Sequence, residues 1–361
     1  MKAWRMYDFG DMRLDDVPTP QVRPGWVLVK VRMVQPSYTE VQWSRGVSIS
    51  GIKQIEKLIK EKAPLQLFGH EFCGEVVEAG EGVRNVKVGE RVVYYRRAPC
   101  HQCRLCLAGH EELCHKGPAL GIDIPGCLAE YVLLPAEGVI NVPSSISDSE
   151  AAALQPLSAA VAAMYAAEVK MGDTVVVLGQ GIMGLYLVQF SQVCGVGKTI
   201  AVSGRDEALV LSSQLGTDII INASKRDPVE AVMEATNGAG SDIIFECGGG
   251  SHKLSDTERL AQAISMVRDE GKVVQVAILD PSATLEVNPI QRRGIKYLGQ
   301  IFCSQKLMQY AIDLVTSKRM KLAPLVTHIL EGLDKVPEAF EITGNKSKYK
   351  AINPAQVVVS R

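Results

Sequence analysis

Through the first 150 or so residues the apolar positions fall in short runs separated by glycine and proline. Trp26-Val27-Leu28-Val29-Lys30-Val31-Arg32, Gly74-Glu75-Val76-Val77-Glu78-Ala79 and Arg91-Val92-Val93-Tyr94-Tyr95 read as strands, and their spacing predicts an all-β, barrel-like domain. One segment breaks the pattern. In Ile52–Lys62 the residues Ile52, Ile55, Leu58 and Ile59 recur at helical spacing, and Pro64 would stop such a helix. Near residue 150 the texture changes. Asp148 is the expected cap of a helix that begins in Ser149-Glu150-Ala151-Ala152-Ala153. Thr174–Leu178, Thr199–Val202, Ile219–Ile221, Ile243–Glu246 and Lys272–Ala277 then read as strands, with helical patterns between several of them. That alternation predicts an α/β, doubly wound parallel sheet. From about Leu298 one more strand–helix stretch and a short tail are expected. No internal repeat or low-complexity segment interrupts this order.

The 361 residues suit about two domains, and 47% hydrophobic with 22% charged residues suits a globular core. A net charge of −1 gives no overall field that would gather nucleic acid or an anionic membrane. No apolar run is long enough for a transmembrane helix, and Met1-Lys2-Ala3-Trp4-Arg5-Met6-Tyr7-Asp8 carries no apolar leader core. A cytoplasmic protein acting on a small molecule is the expectation.

The strand Val175-Val176-Val177-Leu178 runs directly into Gly179-Gln180-Gly181-Ile182-Met183-Gly184 and then into a helical pattern. In such a turn the first glycine permits the sharp bend, the second admits the pyrophosphate to the backbone, and the third lets the helix pack on the strand. The helix N-terminus offers unpaired N–H groups to the phosphates. A nicotinamide dinucleotide is the ligand this context predicts. The choice of cofactor rests on the next strand end, Ala201-Val202-Ser203-Gly204-Arg205. An NAD enzyme carries an acid there for the ribose 2′-hydroxyl. Ser203, Gly204 and Arg205 instead offer a hydroxyl, open backbone and a guanidinium suited to a 2′-phosphate, while Asp206 comes too late for the usual role. NADP is favoured, with NAD as the alternative.

Of nine cysteines, Cys100, Cys103, Cys106 and Cys114 crowd into one loop. Four soft thiolates at this spacing predict a structural zinc that leaves no position for water; an iron–sulfur cluster is the alternative. Cys73, Cys127, Cys194, Cys247 and Cys303 lie among apolar neighbours and are expected to be small buried hydrophobes.

These features together resemble the zinc-containing medium-chain dehydrogenase/reductase family, the alcohol and polyol dehydrogenases. Gly69-His70-Glu71-Phe72-Cys73-Gly74-Glu75-Val76-Val77 is similar to the family's Gly-His-Glu signature, followed by Gly80, Gly82, Val83, Val88-Gly89 and Arg91-Val92; Pro324 and Thr327-His328 are also similar. The resemblance implies a GroES-like catalytic domain over 1–155 with the zinc lobe, a Rossmann cofactor domain over 156–298, and a return to the first domain over 299–361. It also implies a homodimer or homotetramer.

The resemblance breaks where the family's catalytic zinc would be held. In Pro36-Ser37-Tyr38-Thr39-Glu40-Val41-Gln42, Ser37 stands where a cysteine is expected and Gln42 where a proton-relay histidine is often found. In Ala153-Leu154-Gln155-Pro156-Leu157, Gln155 replaces an acid or thiolate. His70 is the one unaltered ligand, and Glu71 could at most move in as a substitute. A hydroxyl and an amide bring zinc no compensating charge, so catalytic zinc is predicted to be absent, with Ser37 and Gln155 left as pocket groups. Thr39, His70, Tyr38 and Glu71 are then the candidates to handle the substrate oxygen. Plainer roles are open as well: His70 in a packed core, Tyr38 as pocket wall or lining the pyrophosphate channel, and Glu40 holding a neighbouring loop. Lys53, Lys57, Lys60 and Lys62 could meet a phosphorylated substrate or a coenzyme A ester, but a solvated helix face is the favoured reading.

Three functions follow. The first is NADP(H)-dependent hydride transfer between a small alcohol and ketone without catalytic zinc. The second is zinc-independent reduction of a C=C bond conjugated to a carbonyl. The third is a catalytically silent NADP-binding protein.

Overall fold

The computed structural model describes residues 1–95, 97–248, 254–299 and 304–360. The chain forms two compact units, one of residues 1–158 with 302–361 and one of residues 159–301.

The first unit is built on a sheet of mostly antiparallel strands. Its hydrogen-bonded order is Ile329–Glu331, Gln356–Val358, Trp26–Gln35, Glu71–Ala79, Arg91–Tyr94 and Val139–Asn141, with Tyr131–Pro135 also paired to Trp26–Gln35. Alternation along Trp26–Gln35 puts Val27, Val29 and Val31 into the core with Phe72, Val92 and Leu134, all essentially inaccessible. The register across the central pair sets Gln35 opposite Glu71 and Val34 opposite Phe72. The C-terminal segment is part of this unit: Val357 pairs with Val34, and the Trp4 indole donates to the Leu333 carbonyl at 2.8 Å. This tail holds more structure than one strand–helix stretch, with helices Gln305–Thr316 and Val336–Gly344 preceding the strand Gln356–Val358.

The helix Ile52–Lys62 has the expected bounds; Ile55 and Ile59 are buried, and the four lysines are exposed. The cap near residue 150 differs from expectation. Ser147, not Asp148, caps the helix Asp148–Ala152, in a capping box with Glu150. Asp148 is drawn instead into ion pairs with Arg91 at 2.6 Å and Arg32 at 2.8 Å, which also hold its carboxyl below the ordinary range against the cost of burial. The scattered cysteines meet the expectation in part. Cys73 and Cys127 are fully buried, Cys194 and Cys247 are only half-buried, and Cys303 lies outside the described residues.

The second unit holds a six-stranded, all-parallel sheet of Thr174–Leu178, Lys198–Ser203, Ile219–Asn222, Ser241–Glu246, Val267–Gln275 and Lys296–Gly299. Numbered by appearance, the spatial order is third, second, first, fourth, fifth, sixth. Val175, Val176, Val177, Ile243, Ile244 and Phe245 are buried, as a sheet covered on both faces requires. The order reverses between Thr174–Leu178 and Ser241–Glu246, and in such sheets a ligand lies beyond the strand ends at that crevice. Among the described residues no helix is long and apolar enough to cross a membrane.

At the end of the first strand a Cβ on Gly184 would lie 1.9 Å from the Gly179 carbonyl oxygen, a backbone atom with little freedom to yield. Gly184→Ala should therefore lower stability by about 1–3 kcal/mol, the usual cost of overpacking. Urea denaturation checks this, and an unchanged midpoint would contradict the close approach.

Candidate active site, dinucleotide turn and metal centre

The loop after Gln35 enters a short helix, Tyr38–Ser44, through a capping box. The Ser37 hydroxyl accepts from the Glu40 N–H at 3.2 Å, and a Glu40 carboxylate oxygen accepts from the Ser37 N–H at 3.1 Å. This spends the Ser37 side chain on the helix end and brings a carboxylate inward, 1% exposed. Its other oxygen accepts from the Gly69 N–H at 2.9 Å and meets His70 Nδ1 at 2.5 Å. The cost of burial would raise the Glu40 carboxyl. The charge and hydrogen bond of His70, with the N–H groups of Ser37 and His70, outweigh it and hold the carboxyl below its ordinary range.

An ionised Glu40 only accepts, so Nδ1 carries a proton toward it and Nε2 is the ring atom left outside that bond. Nε2 stands 4.0 Å from Glu71 Oε1. Glu71 is itself held: its Oε2 accepts from Gln35 Nε2 at 2.5 Å, and Gln35 Oε1 accepts from Gln356 at 2.9 Å. The turn that presents His70 contains Phe68 at φ +68°, a strained value for a bulky residue, kept in place by complete burial of its ring.

The remaining candidates are placed as follows. Thr39 is half-buried in the first turn beside Glu40. Tyr38 lies under Lys346, whose ammonium is 5.4 Å from the ring centroid. Gln155 is buried in the first turn of Leu154–Ala167, its carbonyl accepting from Ser158 at 2.6 Å. The donors expected for a catalytic zinc thus reduce to one imidazole, a hydroxyl committed to a helix cap, a neutral amide and a carboxylate committed to Gln35. That set does not suit zinc. Glu40, Gln35 and Gln356 were not among the site residues expected from sequence. The Ser-x-x-Glu spacing could have marked Glu40 as a capping carboxylate turned inward; nothing local marks Gln35 or Gln356.

In the second unit Gly179 adopts φ +91°, and Gly181 begins the helix Ile182–Cys194 with open space where a side chain would be. Ile182 and Met183 are half-buried in its first turn. The cradle and unpaired helix end suit a pyrophosphate. At the tip of the second strand the Ser203 hydroxyl accepts from the Arg205 N–H at 3.2 Å, and the Arg205 guanidinium reaches back to the Gln180 carbonyl at 3.4 Å. Gly204 lies against the Ser224 hydroxyl. Asp206 turns away to Asn222 at 2.6 Å and Lys225 at 2.7 Å. The tip therefore presents hydroxyls and a cation.

Cys100, Cys103, Cys106 and Cys114 form the one cluster of three or more His, Cys, Asp or Glu ligand atoms among the described residues, all within 4.8 Å of one another. Sulfur pairs stand at 3.5, 3.9 and 4.0 Å. A tetrahedron with Zn–S of about 2.3 Å has edges of about 3.8 Å, so the four sulfurs fit zinc. Backbone N–H groups of Cys100, Cys103 and Cys106 point at neighbouring sulfurs. Although burial opposes ionisation of Cys114, the N–H groups of Cys100, Lys116 and Gly117 bring its thiol down to about 6.

Two outcomes follow. Purified protein should carry zinc at this cluster, and Cys114→Ser should lose it together with several degrees of Tm, as elemental analysis and calorimetry would show; full retention would contradict the ligand set. The depressed Glu40 carboxyl contributes stability that is present above the unfolded value of about 4.3 and lost as pH falls through the lower folded value. Urea midpoints of wild type and Glu40→Gln should therefore converge as pH drops below about 4, whereas parallel curves would remove Glu40 from the account.

The sequence matches the Alcohol dehydrogenase GroES-like domain family over residues 23–144 and the Zinc-binding dehydrogenase family over residues 183–317. It is 30% identical over 331 residues to an L-threonine 3-dehydrogenase of Bacillus licheniformis, covering 90% of both chains. Similar solved structures include a protein described as a zinc-binding dehydrogenase from Sinorhizobium meliloti 1021 bound to NADP (26% identity, TM-score 0.84, 99% and 98% covered). Another is an oxidoreductase/dehydrogenase from Escherichia coli (25% identity, TM-score 0.88, 100% and 99% covered). With these two families covering more than half of the chain and joining a cysteine-rich GroES-like unit to a doubly wound Rossmann unit, the chain belongs to the zinc-type medium-chain dehydrogenase/reductase family.

Proposed function

We propose that this dehydrogenase interconverts a small alcohol and its ketone with NADP(H), handling the substrate oxygen with hydrogen-bonding side chains instead of a catalytic zinc. The observation that carries this reading is the Glu40–His70 pair at 2.5 Å, formed where Ser37 has given its hydroxyl to the helix cap. Bound NADP(H) supplies the hydride chemistry. The chain's own part is proton handling and orientation.

Glu40 fixes the ring of His70 and holds the Nδ1 proton, so in reduction the ring protonated on both nitrogens gives its Nε2 proton to the substrate oxygen, and in oxidation the Nε2 lone pair takes a proton from the alcohol. Thr39, one residue before Glu40, adds a hydroxyl that shares the charge on that oxygen. Glu71, held by Gln35, keeps a carboxylate within reach of Nε2. Such groups replace the Lewis acid with fixed dipoles in a dry setting, where they act far more strongly than in water. Gly179, Gly181 and Gly184 with the first turn at Ile182 and Met183 hold the pyrophosphate, and Ser203, Gly204 and Arg205 receive the 2′-phosphate. The four-cysteine zinc is structural.

A panel of secondary alcohols, ketones and enones with NADPH and NADP+ tests the reading. Alcohol–ketone turnover is expected, reduced about 100-fold or more in His70→Asn. Turnover of enones alone would favour C=C reduction, and tight NADPH binding with no turnover at all would favour a silent binding protein. Arg205→Ala should weaken NADPH by about tenfold or more while leaving NADH unchanged; equal losses would remove Arg205 from 2′-phosphate recognition. Zinc content should rise from one to two per chain when Ser37→Cys and Gln155→Glu are combined, and two zinc ions in the wild type would overturn the zinc-free site.

A further inference from the structure

A buried ion pair stands at the crevice of the parallel sheet, and none of the roles above uses it. Glu246 ends the strand Ser241–Glu246 and is in register with Leu178, the residue before the glycine turn. Its side chain is wholly inaccessible. One carboxylate oxygen accepts from the Gly248 N–H at 2.8 Å and lies 3.5 Å from Arg259 Nε; among the described residues the other has no hydrogen-bond partner, and neither has Arg259 Nε. Arg259, on the helix Asp256–Met266, is held by the Leu254 carbonyl at 2.9 Å and by Asp256. Burial pushes the Glu246 carboxyl above its ordinary range.

An incompletely bonded buried pair is poor evidence of stabilisation, since packed hydrophobic residues of similar volume often do as well or better. Its geometry gives it another use. A Cβ on Gly248 would lie 2.9 Å from both Glu246 Oε1 and Arg259 Cδ, so the backbone at 248 rests directly on the pair. A Cβ on Gly179 would in turn lie 2.8 Å from the Cys247 carbonyl oxygen and 2.9 Å from Gly248 Cα. The Cys247 N–H donates to the Leu178 carbonyl at 2.8 Å. The pair supports residues 247 and 248, and they back the first glycine of the turn.

We propose that Glu246 is a positioning residue for the dinucleotide: through the Gly248 N–H, and braced by Arg259, it sets the segment against which Gly179 bends, and so fixes the pyrophosphate cradle. The proposal rests on the dinucleotide-binding reading above. Glu246 acts through the backbone of its neighbours, and the property it controls is cofactor affinity.

The test is NADPH affinity of the full-length protein, by titration of cofactor fluorescence, alongside thermal stability and local amide exchange. Glu246→Gln keeps an acceptor for the Gly248 N–H and should stay within about threefold of the wild-type Kd. The double variant Glu246→Leu with Arg259→Met removes the pair as a unit; it should fold, weaken NADPH about tenfold or more, and speed exchange at Gly179–Gly184. If the double variant does not fold, Glu246→Leu, in which Arg259 keeps Asp256, is expected to show the same loss. Wild-type affinity in whichever of these variants folds would overturn the proposal, as would an equal loss in Glu246→Gln. Failure of the wild type to bind either NADPH or NADH would overturn the dinucleotide reading and this proposal with it, a result distinct from failure in the variants alone.

Discussion

The first unit turns on one carboxylate. Glu40 accepts from the backbone of its own helix end, from the Gly69 N–H and from the His70 ring. It thereby joins the helix Tyr38–Ser44 to the start of the strand Glu71–Ala79, two segments brought together only by the fold. A carboxylate this deeply buried persists because almost every lone pair is answered, and removing one partner from such a pair typically costs about 3–5 kcal/mol. The same bonds that make the burial tolerable place a proton of the His70 ring on Nδ1, while the Glu40 backbone N–H separately occupies the hydroxyl of Ser37.

The two units solve related problems by different means. The first uses side chains: a capping box, a cross-strand Gln35–Glu71 bond at 2.5 Å and the Gln356 amide behind it arrange polar groups beside a mostly apolar sheet. The second uses backbone: Gly179 and Gly184 allow close main-chain approach, Gly181 leaves open space where a side chain would be, and the buried Glu246–Arg259 pair lies at the neighbouring strand end. The cysteine loop is a third solution. A lobe of short turns, with helices of only three and four residues, brings four sulfurs to within 4.8 Å of one another.

The glycine turn between strand and helix and the cysteine cluster were legible in the sequence because each is contiguous: glycine spacing after an apolar strand, and thiol spacing within one loop. The helix Ile52–Lys62 was legible for the same reason. The cap at Ser147 was missed because Ser147 and Asp148 are both good capping residues, and the choice was made by Arg32 and Arg91, distant in sequence. The Glu71–Gln35–Gln356 chain was illegible because it joins residues up to 321 positions apart, and glutamine carries no local signature of being buried. Glu246 was read only as the last residue of a strand; its burial goes with Arg259 and the close approach of Gly248.

The central claim is that a hydrogen-bonded His70–Glu40 pair has taken the place of a metal in a zinc-dehydrogenase scaffold. Its most direct test is anomalous scattering at the zinc edge from crystals grown with excess zinc. One peak is expected, among Cys100, Cys103, Cys106 and Cys114, with His70 Nδ1 still on Glu40. A second peak within bonding distance of His70 Nε2 would contradict the account.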